Sequence, residues 1–113
     1  MIMIVDDSPR MRAMITAYVR NIRDESEFCE CRDGVEAVRT YERIRPDWVL
    51  MDIKMPNMDG LSATKTIRTQ FPDARIIIVS NFDDVELRDA AHQSGAHGYV
   101  LKDRLFELQE LMR

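Results

Sequence analysis

The sequence predicts an α/β fold: a doubly wound (βα)5 three-layer sandwich on a parallel five-stranded sheet. Three observations predict it. Strand-like and helix-like segments alternate five times along the 113 residues, the pattern of a parallel sheet with helices on both faces. The runs Met1–Val5, Trp48–Met51, Ile76–Val79 and Tyr99–Leu101 are short and apolar throughout, as strands buried on both faces are. Each run ends in polar residues, Asp6-Asp7, Asp52, Ser80 and Lys102 in turn.

The elements follow in order. After the first strand, Met11, Met14, Ile15, Tyr18, Val19 and Ile22 recur at helical spacing. Ser8 suits an N-cap there and Pro9 the first helical turn. Glu27–Arg32 alternates polar and apolar residues and predicts a second strand nearer an edge. Asp33-Gly34 punctuates, and Val35, Val38, Tyr41 and Ile44 form the next helical stripe, closed by Pro46 and Asp47. The loop Lys54–Gly60 holds the turn formers Pro56, Asn57 and Gly60. A third helix carries Leu61, Ile67 and Phe71 and stops at Pro72, before the strand Arg75–Val79. Asp83 or Asp84 is expected to cap the fourth helix, with Leu87, Ala90 and Ala91 facing inward. Gly95 and Gly98 bracket the turn into the fifth strand. Asp103 is expected to cap a last helix bearing Leu105, Leu108, Leu111 and Met112.

Residues 1–113 read as one domain, with no linker, repeat or low-complexity tract. Hydrophobic residues make up 45% and charged residues 32%, as in ordinary globular chains. A net charge of −4 argues against a nucleic-acid-binding surface. No apolar run approaches the roughly 20 residues of a membrane span, and no secretory signal opens the chain. A cytoplasmic location is the expectation. Cys29 and Cys31 lie two apart in a strand and share a face, which suits free structural thiols better than a mutual disulfide. No His or further Cys completes a zinc set.

In an open parallel sheet the strand ends converge on one rim, where ligands bind. Taken alone, Asp52 reads as a strand-end aspartate in a turn. Asp6 and Asp7 change that reading. Two adjacent acids after a buried strand repel each other unless a cation or hydrogen bonds offset the charge. If the first strand lies beside the third, three carboxylates make a hard oxygen site suited to Mg²⁺. Carboxylates also serve as nucleophiles toward phosphorus. The Lys102 ammonium and the Ser80 hydroxyl are donors of the kind that stabilise a transferring phosphoryl group. The ordinary alternatives are a helix-start carboxylate for Asp7, a solvated lysine and a serine satisfying loop backbone. Five such groups on one rim outweigh them.

These residues resemble the response-regulator receiver domain of two-component signalling. The resemblance covers the whole chain and rests on several motifs. They are Ile4-Val5-Asp6-Asp7-Ser8, Asp33-Gly34, Asp52 with Met55-Pro56 and Met58-Asp59-Gly60, Ser80, and Gly95-Ala96 through Tyr99-Val100-Leu101-Lys102. It implies the flavodoxin-like strand order 2-1-3-4-5. The stretch Gly95–Asp103 is most similar to receivers of NarL/LuxR-type transcriptional regulators, whose helix-turn-helix output segment residues 1–113 do not include. DNA contact is therefore expected only of such an additional segment.

The resemblance further implies that Asp52 accepts a phosphoryl group from a sensor histidine kinase or a phosphotransfer protein. Asp6, Asp7, Asp52 and the Lys54 carbonyl would hold Mg²⁺. Ser80 and Lys102 would contact the phosphoryl group, and Ser80 and Tyr99 would form a switch. Bottom-up, Tyr99 is simply an aromatic residue suited to a strand. The fourth helix, fifth strand and fifth helix would form the signalling face, with Val85, Arg88, His92, Tyr99 and Asp103 as candidates. A homodimer could use the same face.

Three positions depart from common forms. Lys54 and Phe82 place a cation and a ring beside the site, and are expected to shield its phosphoryl group from water. Asp103 replaces a frequent proline, so a trans bond is expected before it. Three other functions were weighed. An aspartyl-nucleophile phosphohydrolase of the haloacid-dehalogenase type wants an acid where Lys54 stands. A flavodoxin-like cofactor binder wants hydroxyls and glycine where Asp6-Asp7 stand. A phosphorylation-independent interaction module leaves the rim residues without a task.

Overall fold

The structure, a computed structural model, describes residues 1–24 and 26–113. Strand and helix alternate from the start: β1 (Ile2–Val5), α1 (Pro9–Ile22), β2 (Phe28–Cys31), α2 (Gly34–Ile44), β3 (Trp48–Met51), α3 (Gly60–Gln70), β4 (Ile76–Ser80), α4 (Val85–Gln93) and β5 (Gly98–Leu101). A 3-10 turn, Leu105–Glu107, leads into α5 (Leu108–Leu111). The sheet order is β2-β1-β3-β4-β5, and all pairs are parallel. This is the expected doubly wound, flavodoxin-like architecture.

Period-two alternation along each strand divides the core. Met3, Val5, Val49, Met51, Ile76 and Ile78 pack with Ala37, Tyr41, Ala63, Ile67 and Ala91 from α2, α3 and α4. Ile2, Ile4, Trp48, Leu50, Ile77, Val79 and Val100 pack with Ile15 and Val19 of α1, Leu108 of α5 and the adjoining Met112. Burying each such large side chain contributes about 1.5–3 kcal/mol. Cys29 and Cys31 face the first of these clusters as free thiols. Burial pushes the Cys31 thiol up to about 11, which keeps it protonated and unreactive.

Ser8 caps α1 by accepting the Met11 N–H at 3.2 Å, with Pro9 opening the helix. Asp33 caps α2 and Asp59 caps α3 in the same way, each at 2.8 Å. Several helix details differ from the sequence expectations. Met14 belongs to the apolar stripe of α1 but is 49% exposed, because the stripe is wider than the face that meets the sheet. The buried face of α2 is Gly34, Ala37, Thr40 and Tyr41, rotated away from Val35 and Ile44. Asp84 sits at the start of α4 without a side-chain cap bond, and Asp83 pairs instead with Arg88 at 3.0 Å. Asp103 caps nothing: the Arg104 N–H closes a turn onto the Leu101 carbonyl at 2.8 Å, and Arg104 takes the capping position. Peptide bonds are trans among the described residues.

Candidate functional site

Register builds the site. Val5 pairs with Met51 across β1 and β3, so the next residues, Asp6 and Asp52, emerge side by side. The Asp52 N–H still extends the ladder onto the Val5 carbonyl at 2.9 Å. Ser80 pairs with Leu101 across β4 and β5, which delivers Lys102 to the same rim. The Lys102 ammonium lies 2.9 Å from Asp6 Oδ2 and 3.3 Å from Asp52 Oδ1. Asp6 is 1% exposed and Asp52 8%, so one buried cation faces two carboxylates in a medium that screens poorly.

The imbalance shows in the titration. Burial pushes the Asp52 carboxyl up to about 6; the Asp6 charge adds to this and Lys102 opposes it. Burial pulls the Lys102 ammonium down, but hydrogen bonds and charge from Asp6 and Asp52 together outweigh it and raise its affinity for the proton.

Asp7 stands exposed above the pair, and one oxygen each from Asp6, Asp7 and Asp52 lie within 4.8 Å of one another. Asp6 Oδ1 accepts the Ser8 N–H at 2.9 Å. Asp6 Oδ2 is buried, and its close partner is the Lys102 ammonium. An all-oxygen set of this span, whose three carboxylates have one lysine ammonium between them, fits a hard divalent cation held at roughly 2.1–2.5 Å.

The cleft above these groups measures about 360 Å³ and is bordered by Ser8, Met11, Lys54, Asn81 and Phe82 as well as the charged groups. Asn81 carries no motif signal in the sequence, and Met11 stands out there only as part of the apolar stripe of α1. Arg12 was missed too: it donates to the Asp6 carbonyl at 2.6 Å and pairs with Glu30 at 2.7 Å, fixing α1 against two strand ends. A larger groove of about 750 Å³ runs between β2 and α2. It lacks the convergent buried charges of the rim.

Ser80 does not border the cleft. It is fully buried, and its hydroxyl accepts the Phe82 N–H at 3.0 Å. The Phe82 carbonyl in turn accepts the Tyr99 hydroxyl at 2.6 Å, and the Arg88 guanidinium stacks 4.7 Å from the Tyr99 ring. Phe82 therefore links Ser80 to Tyr99 through its own backbone. Its ring carries the Lys54 ammonium at 4.6 Å, so these two unusual residues meet at the mouth of the site. Below, Gly60 folds back so tightly that a Cβ would lie 1.8 Å from the Asp52 carbonyl oxygen. Only glycine fits there.

Residues 2–113 match the sequence profile of the response regulator receiver domain. The chain belongs to that family. It is 39% identical over 112 residues to YhcZ, an uncharacterized transcriptional regulatory protein of Bacillus subtilis, across 99% of this chain and 51% of that protein. The receiver thus spans about half the length of that relative. A solved LuxR-family DNA-binding response regulator from Staphylococcus aureus superposes with a TM-score of 0.86 at 27% identity, covering 98% of this chain and 93% of that one. The CheX–CheY–BeF3–Mg²⁺ complex from Borrelia burgdorferi matches at 27% identity and a TM-score of 0.80, covering 98% and 84%. The relatives place this receiver among two-component response regulators, including those of the LuxR type, and its Asp6–Asp7–Asp52 pocket is the acidic cluster typical of receivers. No helix among the described residues is long and apolar enough to cross a membrane.

Proposed function

We propose that this receiver takes a phosphoryl group onto Asp52 from a phosphohistidine of a sensor histidine kinase or phosphotransfer protein, with Mg²⁺ as cofactor. The observation that carries the proposal is Lys102 shared between Asp6 and Asp52 at 2.9 and 3.3 Å, beneath an open acidic cleft. An Asp52 carboxylate oxygen forms the new bond to phosphorus. The phosphorus–nitrogen bond of the donor breaks, and its electron pair leaves with the imidazole. Asp6, Asp7, Asp52 and the Lys54 carbonyl would hold the metal, which supplies positive charge against the phosphoryl oxygens. The Lys102 ammonium is already within reach of the reacting carboxylate and needs no reorganisation to balance the developing charge.

Ser80 supplies the link to output. To reach a phosphoryl oxygen its hydroxyl gives up the Phe82 N–H, and the loop that holds Tyr99 is released. Charge at Asp52 thereby biases a two-state equilibrium of the face built from α4, β5 and α5. Val85 is 74% exposed there, alongside Arg88, His92, Tyr99 and Asp103. That face would bind a partner or a second copy. In the cytoplasm, DNA would be reached through an attached helix-turn-helix segment, as the LuxR-type relatives suggest.

The test is intact mass after incubation with Mg²⁺ and acetyl phosphate. The expected result is one added phosphoryl group, absent from Asp52→Asn and from an EDTA control. A folded, Mg²⁺-binding protein that gains no mass from acetyl phosphate or from a phosphohistidine donor overturns the proposal. In the same assay, the Lys54→Asn/Phe82→Glu double variant should lose its phosphoryl group to water faster than the parent. An equal or longer lifetime removes the shielding role of that pair.

A further inference from the structure

The loop between Asp52 and α3 is held at two points. At its end, the Gly60 N–H reaches the Ile53 carbonyl at 2.7 Å, tight against the Asp52 backbone. At its middle, the Met58 N–H closes onto the Pro56 carbonyl at 2.7 Å, a three-residue turn centred on Asn57 with φ 69°. Turns of this kind are rare and strained. Such a conformation persists only where its surroundings impose it.

One side chain supplies that imposition. Asp33 uses Oδ1 to cap α2 through the Glu36 N–H at 2.8 Å. Its other oxygen, Oδ2, accepts the Asn57 side-chain amide at 2.7 Å. These bonds hold the Asp33 carboxyl below the usual carboxylate range. The next residue adds a backbone clamp, the Gly34 N–H to the Met58 carbonyl at 3.0 Å, where a Cβ would come within 2.5 Å of that oxygen. Neither Asp33 nor Asn57 borders the acidic cleft.

We propose that Asp33 and Asn57 are positioning residues, a latch between the β2–α2 and β3–α3 loops that fixes the segment following Asp52. The inference rests on the phosphoryl-transfer reading above. With the latch closed, the Lys54 backbone is held beside the three carboxylates before any cation arrives. With it open, the strained turn relaxes, and binding must order the segment at its own expense.

Three variants separate positioning from folding. Asp33→Ser keeps a good helix cap but has no second oxygen to accept the Asn57 amide, which opens the latch. Asn57→Gly keeps the backbone freedom the turn needs and removes the amide. Asp33→Asn/Asn57→Asp exchanges donor and acceptor without changing net charge. Calorimetry with Mg²⁺ alone should show about threefold to tenfold weaker binding for both single variants and recovery in the exchange variant. In metal-free buffer, hydrogen exchange at the Gly34 and Gly60 amides should quicken in Asp33→Ser while its Tm stays near that of the parent. Unchanged Mg²⁺ affinity and exchange in both single variants would overturn the latch, as would an exchange variant no better than either. If the parent takes up phosphate normally in those cases, the latch alone is wrong. If the parent takes up none, the phosphoryl-transfer reading has failed while the metal-free exchange result still decides the latch.

Discussion

The two rims of the sheet end the same strands and treat charge in opposite ways. At the rim beyond Val5, Met51 and Leu101, Asp6 and Asp52 are buried and the Lys102 side chain is nearly so, and two anions share one cation. At the other rim several charges lie in solvent or on aromatic rings. The Met1 amine meets an exposed Asp47 at 3.0 Å. Arg75 stacks 4.5 Å from the Trp48 ring and donates to the Asp47 carbonyl at 3.1 Å, and His97 meets the other side of that system edge-on. One rim carries unbalanced charge in a poorly screening medium; the Met1, Asp47 and Arg75 charges at the other are paired or stacked and largely solvated. That difference points to the proposed site more sharply than cavity size does, since a larger groove lies along β2 and α2 without such charges.

Removing the cation should break the contrast most severely. Lys102→Met leaves Asp6 and Asp52 buried together without their shared partner. Breaking a buried pair in this way costs about 3–5 kcal/mol, part of which protonation of Asp52 can relieve. In metal-free buffer at pH 7.5 the expected drop in Tm exceeds about 10 °C, and it should shrink at pH 5. A variant within a few degrees of the parent at pH 7.5 would show that the rim is better solvated than its burial indicates.

Removing one anion should act in the opposite direction. The folded Asp52 carboxyl titrates at about 6, above its ordinary value of 3.8. Ionisation is therefore harder in the fold than in the unfolded chain. The penalty is absent below the unfolded value, grows as pH rises through the interval, and is complete above the folded value. Asp52→Asn should thus stabilise the metal-free protein by about 1–3 kcal/mol at pH 7, with the gain vanishing near pH 4. Denaturation by urea at both pH values measures it. Mg²⁺ should narrow the gap, because the parent gains more from the cation than the variant does.

Much of this contrast was legible in the sequence, for a physical reason. A strand buried on both faces must be apolar, so the change to Asp6, Asp52 and Lys102 marks the rim directly. Strand order was not legible from the residues themselves; it came from family resemblance, because nothing in an apolar run specifies its neighbour. Met14 misled because helical spacing shows a stripe without showing how wide the opposing surface is. Asp103 misled because a carboxylate before an apolar run suits a cap, whereas the turn onto the Leu101 carbonyl moved the helix start past it. The contacts made by backbone were invisible altogether. Ser80 to Phe82 to Tyr99, and Gly34 to Met58, depend on loop paths that side-chain identity does not encode. Asp33 was read as punctuation, and its second oxygen, on Asn57, could not be foreseen from residues 24 positions apart.

The smallest effect belongs to the opposite rim, and it is the control that gives the others meaning. Arg75 is exposed, and its guanidinium lies over the ring of Trp48, the chain's one tryptophan. An exposed cation–π contact contributes about 0.5–1 kcal/mol. Arg75→Gln should therefore cost no more than that, equally with and without Mg²⁺. Trp48 fluorescence should shift, since its stacking partner is gone, while the phosphoryl uptake proposed for Asp52 keeps its parental rate. A Mg²⁺-dependent cost would mean that the two rims communicate through β3, whose buried residues connect Trp48 to Asp52. The rims would then be two ends of one coupled strand, and the stability changes expected for Lys102→Met and Asp52→Asn would no longer report the acidic rim alone.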